Sequence, residues 1–420
     1  MMSLRAGVMW TGFGNGVYLG CQYATLMMLA KLGNPTLVGQ FSLGLAITAP
    51  VIILSQMQLR QMQVTDVKSE YVFADYFCSR LILSALALAA IGGVVAFSGY
   101  SHAIRVVILL IALAKIFESL SDVAYGTIQR HERMDLIAVS LVIKGLGSLL
   151  AFGLALWLTG SLIWSLSGMC VVWTALFFFY DLPTARRVSA DREPVLLWRF
   201  GMFKRLMVLA MPLAFASGLT SILGNMPRYF LQSYQGERAV AMFSVAAAPL
   251  ALVTLLCAAI SQASTARAAT RYQEGSMAEF RNLATKVAGL QLLIGVVFTV
   301  VFAALGKQLL ALLFTPEYIP AAPVLVIISA GAAVGNLGAF GSTVLTAGRL
   351  FKQQLLFVAV VFVLQIPIAW LFISRLGLNG AAWSDAVKNA VAMVAINTLA
   401  LVAYSRQHRQ MAAQPEPRMR

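Results

Sequence analysis

The chain has 420 residues, of which 60% are hydrophobic and only 11% charged, a balance that cannot clothe a water-facing globule and instead suits a bilayer. A net charge of +15 raises nucleic acid as a partner, but the basic residues lie between long apolar runs rather than along one face, which excludes that class. Segments such as Leu290 to Leu305 and Leu355 to Ile373 are continuously apolar, not alternating, so an outer-membrane barrel is excluded as well.

About 20 apolar residues, at 1.5 Å per residue, carry an α-helix across the hydrocarbon core. On that measure about twelve spans are expected, at 8–30, 36–56, 76–98, 104–125, 137–158, 162–180, 206–231, 239–263, 286–305, 321–346, 354–373 and 380–404. The first follows only Arg5 and is longer than a signal-peptide core, so it is expected to stay in place. Its amides Asn15 and Gln22, like Asn225, Asn336 and Asn389 in later spans, suit either glycan hydroxyls or helix-to-helix hydrogen bonds.

Charges inside the spans are the informative exceptions. The third span carries Arg80 and the fifth Lys144, both within about two turns of the expected cytoplasmic side, at an inward mouth or snorkelling. The fourth holds Lys115, Glu118 and Asp122 at i, i+3 and i+7, on one helical face. Each would cost about 2.5 to 3.5 kcal/mol at the centre of a lipid-facing helix, so they must meet water or partners, as an ion-pair cluster or as a cavity wall.

After the sixth span, Asp181 to Arg205 carries Pro183, Pro194 and six basic residues, and reads as a cytoplasmic linker near mid-chain. In the seventh, Pro227 frees a backbone carbonyl beside Arg228 and is expected to kink the helix near the outer rim. The twelfth adds Asp385 and Lys388, another i, i+3 couple, read as structural in the first instance.

With the N-terminus inside, the cytoplasmic side collects Arg5, Arg60, Lys68, Arg130, Arg133, the linker cations, Arg267, Arg271, Arg281, Lys286, Arg349, Lys352 and the tail arginines Arg406, Arg409, Arg418 and Arg420. Only Lys31, Arg105, Arg238, Lys307 and Arg375 fall opposite. This asymmetry implies that both termini are cytoplasmic and the span number even. Anionic membrane lipid then accounts for the basic balance.

The two halves echo each other. Gln40-Phe41-Ser42 to Pro50 reads like Met242-Phe243-Ser244 to Pro249, and the pairs Arg130 and Arg349, and Trp164-Ser165 and Trp383-Ser384, share an offset of 219 positions. Six spans per half imply a parallel repeat: an N-terminal lobe at 1–182, a linker at 183–205, a C-terminal lobe at 206–405 and a tail at 406–420. A binding site is then expected between the lobes near mid-membrane.

Nothing points to catalysis. His102, His131 and His408 lie in loops or the tail, Cys21, Cys78, Cys170 and Cys257 lie singly in apolar surroundings, and no Gly-rich phosphate loop precedes a Lys and a Ser or Thr. No catalytic residue, metal or organic cofactor is therefore expected.

Four stretches together carry a resemblance. They are Leu59-Arg60-Gln61 through Thr65-Asp66 with Tyr76 to Arg80; Lys115 to Glu118 to Asp122 through Gly126, with Gln129 to Asp135; Asn225-Met226-Pro227-Arg228-Tyr229 with Gly236-Glu237; and Leu312-Leu313-Phe314 with Glu317-Tyr318. The chain resembles the polysaccharide transporter family of oligosaccharide flippases, the Wzx-type members of the multidrug/oligosaccharidyl-lipid/polysaccharide superfamily. The resemblance implies a MATE-like, all-α fold and export of an undecaprenyl-diphosphate-linked oligosaccharide across the bacterial inner membrane.

In that setting Arg80, Lys115, Lys144, Asn225 and Arg228 are the expected substrate ligands, because Arg and Lys suit phosphate oxygens. Glu118, Asp122, Asp385 and Lys388 are expected to carry a coupling proton or sodium ion or to tune the cations. The expected partners are the lipid-linked glycan, membrane lipids and a polysaccharide polymerase, with the chain itself a monomer. Competing readings are a cation-coupled multidrug exporter of the same fold and a membrane polymerase or ligase. The first lacks embedded acids in spans one, two, seven and eight, and the second lacks a long outward loop.

Overall fold

The computed structural model describes residues 4–66, 71–189, 199–273, 276–347 and 351–412. Within them every regular element is a helix. Lys68, Arg192, Arg349, Arg418 and Arg420, the middle of the expected linker and the end of the tail lie outside the described residues.

The first helix, α1 (Leu4–Leu32), gives way to α2 (Pro35–Gln56), which starts where the Asn34 side chain accepts a 3.0 Å hydrogen bond from the Leu37 amide and Pro35 supplies a preset φ. Two consecutive non-glycine residues in the left-handed region, Met57 (φ 49°) and Gln58 (φ 51°), break the chain between α2 and the short α3 (Leu59–Thr65). Then follow α4 (Phe73–Phe97), α5 (His102–Arg130) and α6 (Met134–Thr159), the last closed by Gly160 at φ 62°. Next come α7 (Leu162–Leu176), one π-turn (Phe177–Asp181) and α8 (Leu182–Ser189), which run on end to end. The sixth span therefore does not stop at residue 180: Asp181, read from sequence as the start of the linker, is inside the helical rod and fully buried.

Helix α9 (Phe200–Gln235) contains the point at which the chain divides into two compact units, Met1–Asn225 and Met226–Arg420. The second unit continues with α10 (Glu237–Ala247) and α11 (Leu250–Gln273), which meet at a 45° bend beside Pro249, and then α12 (Met277–Leu313). A 3₁₀ turn (Pro316–Ala321) leads into α13 (Ala322–Asn336) and α14 (Ala339–Ala347). The last element, α15 (Phe351–Ala412), holds two helices joined at Gly377, whose φ of 56° only glycine adopts freely.

Among the described residues seven helices are long and apolar enough to span a bilayer, or up to nine if each of two bent pairs is one span. Helix α5, 29 residues long, is left out of that count by its charges, and the count takes the two helices of α15 together. The protein is thus an all-helical, multi-pass membrane protein. Large apolar residues such as Phe97, Phe179 and Leu312 stay exposed, as a lipid-facing surface requires, and all four cysteines are buried and form no disulfide.

Inside the first unit α5 is the central post, packed by α2, α3, α4, α7 and α8, while α1 lies along α6. Inside the second, α13 packs between α12 and α15. The sequence echo extends to burial. Phe41-Ser42 and Phe243-Ser244 are buried in their respective units, and in both Trp-Ser pairs the tryptophan is exposed while Ser165 and Ser384 are fully buried.

Candidate functional site

Lining one face of α5 with charge forces its neighbours to answer it. Lys115 Nζ donates to Glu118 Oε2 at 2.7 Å, and the hydroxyl of Tyr18 on α1 donates to the other carboxylate oxygen at 2.5 Å. One turn on, Asp122 accepts from Arg60 Nη1 of α3 at 3.0 Å and faces Arg80 Nη2 of α4 at 3.6 Å. Arg60 is further held by Gln129, whose side-chain oxygen accepts from Nε at 3.0 Å.

A second pair sits beside the first. Lys144 of α6 lies 3.7 Å from Asp181 in the π-turn, with 1% and 0% of the side chains exposed. Ser140 donates to Asp181 at 2.5 Å, which leaves Tyr125 to donate its hydroxyl proton to Ser140 at 2.7 Å. The rings complete the enclosure: Lys144 Nζ is 5.2 Å from the Tyr125 centroid and 5.9 Å from that of Trp173, and Lys115 Nζ is 5.5 Å from Trp173. A buried indole shared by two ammonium groups supplies attraction where water does not reach.

The two halves of the network differ in access to water. Arg60, Lys115, Glu118 and Asp122 are each between a quarter and a third exposed, whereas Arg80, Lys144 and Asp181 are dry. Arg60 and Asp122 open on a cleft of about 610 Å³ whose other polar walls are Gln56, Gln58, Gln61 and Gln129. Among the described residues no partner hydrogen-bonds the three nitrogens of Arg80, and its charge faces Asp122 across a 3.6 Å gap. The described network has four cations, Arg60, Arg80, Lys115 and Lys144, against three carboxylates, Glu118, Asp122 and Asp181.

The expected ligands thus divide. Arg80, Lys115, Glu118, Asp122 and Lys144 come together in the first unit. Asn225 turns back on its own helix, donating to the Ser221 carbonyl at 2.9 Å. In the second unit Arg228 donates from Nε to the Ser244 hydroxyl at 3.0 Å and lies over the Phe243 ring, while Asp385 and Lys388 pair with each other on α15.

Sequence reasoning counted Arg60 as a cytoplasmic charge and among the residues that carry the resemblance but not as a site residue, and it missed Tyr18, Tyr125, Trp173 and Asp181. One signal was available for Asp181. A lysine alone in an apolar span needs an acid within reach, and Asp181, at the inner end of the next span, is one such acid beside Glu118 and Asp122 of the span before.

The family model described as "Polysaccharide biosynthesis protein" matches residues 4–266, which takes in the whole network just described. The chain belongs to that family. A curated relative, the capsular polysaccharide biosynthesis protein CapF of Staphylococcus aureus, is 27% identical over 378 residues, 89% of this chain and 93% of that protein. Among solved structures the chain is similar to an inward-facing MATE family multidrug resistance transporter of the MOP superfamily, with a TM-score of 0.75 at 15% identity, covering 94% of this chain and 95% of that one. It is also similar to a MOP superfamily transporter from Pyrococcus furiosus described as having a binding pocket of reverse polarity, with a TM-score of 0.65 at 16% identity and 94% of each chain covered. These likenesses give this family member the MATE-type transporter fold.

Proposed function

We propose that this member of the polysaccharide biosynthesis family is a flippase that moves an undecaprenyl-diphosphate-linked oligosaccharide across the bacterial inner membrane by alternating access. The observation that carries the reading is the pair of guanidiniums around Asp122, Arg60 on the glutamine-walled cleft and Arg80 buried. Asp122 is shared by two guanidiniums and neutralises only one of them. An incoming diphosphate can take Asp122's place on the partly exposed Arg60, with bidentate, charge-assisted hydrogen bonds.

Lys115, with Glu118 and Tyr18 beside it, is a second exchangeable pair. A coupling proton or sodium ion is assigned here to Glu118, because neutralising that carboxylate frees Lys115 for phosphate. The dry pair Lys144 and Asp181 is assigned a supporting part, holding α6 and the π-turn to α5. In the second unit Arg228 and the Asp385–Lys388 pair remain candidate ligands and tuning groups.

A cation-coupled multidrug exporter has the same fold but needs a carboxylate open to a cation. Each of Glu118, Asp122 and Asp181 already faces a lysine or arginine, which favours an anionic substrate. The basic asymmetry of the loops supports cytoplasmic termini, and a polysaccharide polymerase is the assigned downstream partner. Leaflet-resolved detection of lipid-linked oligosaccharide, with and without the chain, tests the reading. Retention of the lipid-linked units in the cytoplasmic leaflet of deletion cells is expected; delivery of unjoined units to the outer leaflet would instead identify a polymerase.

A further inference from the structure

The second unit holds a cavity of its own, about 550 Å³, and none of the described residues that line it is charged. Its polar wall is made of amides and hydroxyls, chiefly Gln291, Asn336, Asn389 and Ser261, with Phe357 among the apolar members. Two interrupted helices border it. Leu250, just past the bend between α10 and α11, lies on one side, and Gly338 and Ala339, at the break between α13 and α14, lie on another. Broken helix at membrane depth persists where it is buried in protein or lines a polar cavity, and such breaks mark substrate sites in transporters.

The amides of this unit fall into two groups. Gln291 is committed to the fold, donating to the Cys257 carbonyl at 3.0 Å and the Ser261 hydroxyl at 2.7 Å. Asn397 is committed too: it accepts from the Gly341 amide at 2.9 Å and donates to the Leu337 carbonyl at 3.1 Å, splicing the α13–α14 break. Asn336 and Asn389 differ. Among the described residues Asn336 donates to the Cys257 sulfur at 3.5 Å, a weak acceptor, and to the Gln291 carbonyl at 3.4 Å, and Asn389 to Asp385 at 3.4 Å. The two contacts to oxygen are longer than the roughly 2.7–3.2 Å of a well-made N–H···O bond, and both residues line the cavity, so their carboxamides face it with hydrogen-bonding capacity to spare.

We propose that this cavity is a sugar subsite, taking an uncharged, hydroxyl-rich ring through the carboxamides of Asn336 and Asn389, with Phe357 as an apolar wall. The chemistry selects the ligand class. Among the described residues the lining offers no charge to favour a phosphate or a cation over a neutral ligand, and paired donors and acceptors on an amide match a vicinal diol. Its volume lies within the range of roughly 300–1,000 Å³ usual for small-molecule sites. The proposal rests on the flippase reading and adds to it the place that reads the glycan rather than the diphosphate.

The test compares two probes on the purified full chain in nanodiscs: undecaprenyl diphosphate without sugar, and the lipid-linked glycan that accumulates in deletion cells. The glycan-bearing lipid is expected to bind about tenfold more tightly, and Asn336→Ala/Asn389→Ala is expected to erase that difference while leaving the bare lipid's affinity unchanged. Ala258→Phe, which puts a bulky ring on the cavity wall and leaves both asparagines in the sequence, is expected to do the same and covers the case in which the double variant does not fold. Equal binding of both lipids by the native chain, or an undiminished difference in a folded variant, would overturn the sugar subsite and leave the flippase reading standing. Failure to bind either lipid would overturn that reading, and the subsite with it.

Discussion

The carboxylate of Asp122 lies 3.6 Å from Arg80, a guanidinium with no exposed surface and, among the described residues, no hydrogen bond from its three nitrogens, and holds Arg60 at 3.0 Å with its other oxygen. One acid therefore stabilises a dry cation and a wet one together. Replacing Asp122→Asn leaves Arg80 buried without a counter-charge, and the expected loss of stability is about 3–5 kcal/mol, seen as a fall in the unfolding midpoint of the purified protein. Arg60→Gln removes only the partly exposed partner and is expected to keep the fold while cutting transport at least about tenfold; normal flipping in that variant would remove Arg60 from the phosphate assignment.

For Lys144 and Asp181 the prediction concerns the pair rather than either member. Lys144→Met or Asp181→Asn alone is expected to destabilise by about 3–5 kcal/mol, whereas Lys144→Met with Asp181→Leu should recover to within about 1–2 kcal/mol of the native chain. Thermal unfolding of all three variants gives the coupling energy. If transport also returns in the double variant, the pair is a support for α5; if stability returns without transport, one of the two acts on the substrate or coupling ion.

Tyr18→Phe deletes a single hydroxyl, the one that donates to Glu118. A hydrogen bond to a carboxylate contributes about 1.5–3 kcal/mol, so a modest stability loss is expected. Transport should fall further than stability accounts for, because Glu118 is then set by Lys115 alone. A variant with unchanged pH dependence of transport would separate Glu118 from the coupling step.

The break at Met57 and Gln58 places two side-chain-bearing residues in the left-handed region beside the charged cleft. Each such residue stores strain of order 1 kcal/mol or more. Met57→Gly relieves that strain but also deletes a buried side chain, a loss of about 2–5 kcal/mol, so the unfolding midpoint is expected to fall. A rise instead would show that the strain outweighs the packing of Met57.

The exposed pair Arg238–Glu317 serves as the comparison. Arg238→Ala should change stability by less than about 1 kcal/mol and leave transport unaltered, because surface ion pairs are screened and contribute little.

Composition and hydropathy by themselves determined the helical, multi-pass architecture, because lipid tolerates a backbone only when its polar groups are satisfied within the helix or a closed barrel. The charges that cannot face lipid were equally legible, and Lys115, Glu118, Asp122, Arg80 and Lys144 do meet in one unit. Which groups answer them was decided by tertiary structure alone. Tyr18, Tyr125 and Trp173 carry no charge to stand out in an apolar span, and Asp181 lies past the point where hydropathy ends the sixth helix, held there by a π-turn. The division of the amides was hidden as well: Gln291, Asn336, Asn389 and Asn397 are alike in sequence, and only the distances between packed helices separate those spent on the fold from those left facing a cavity.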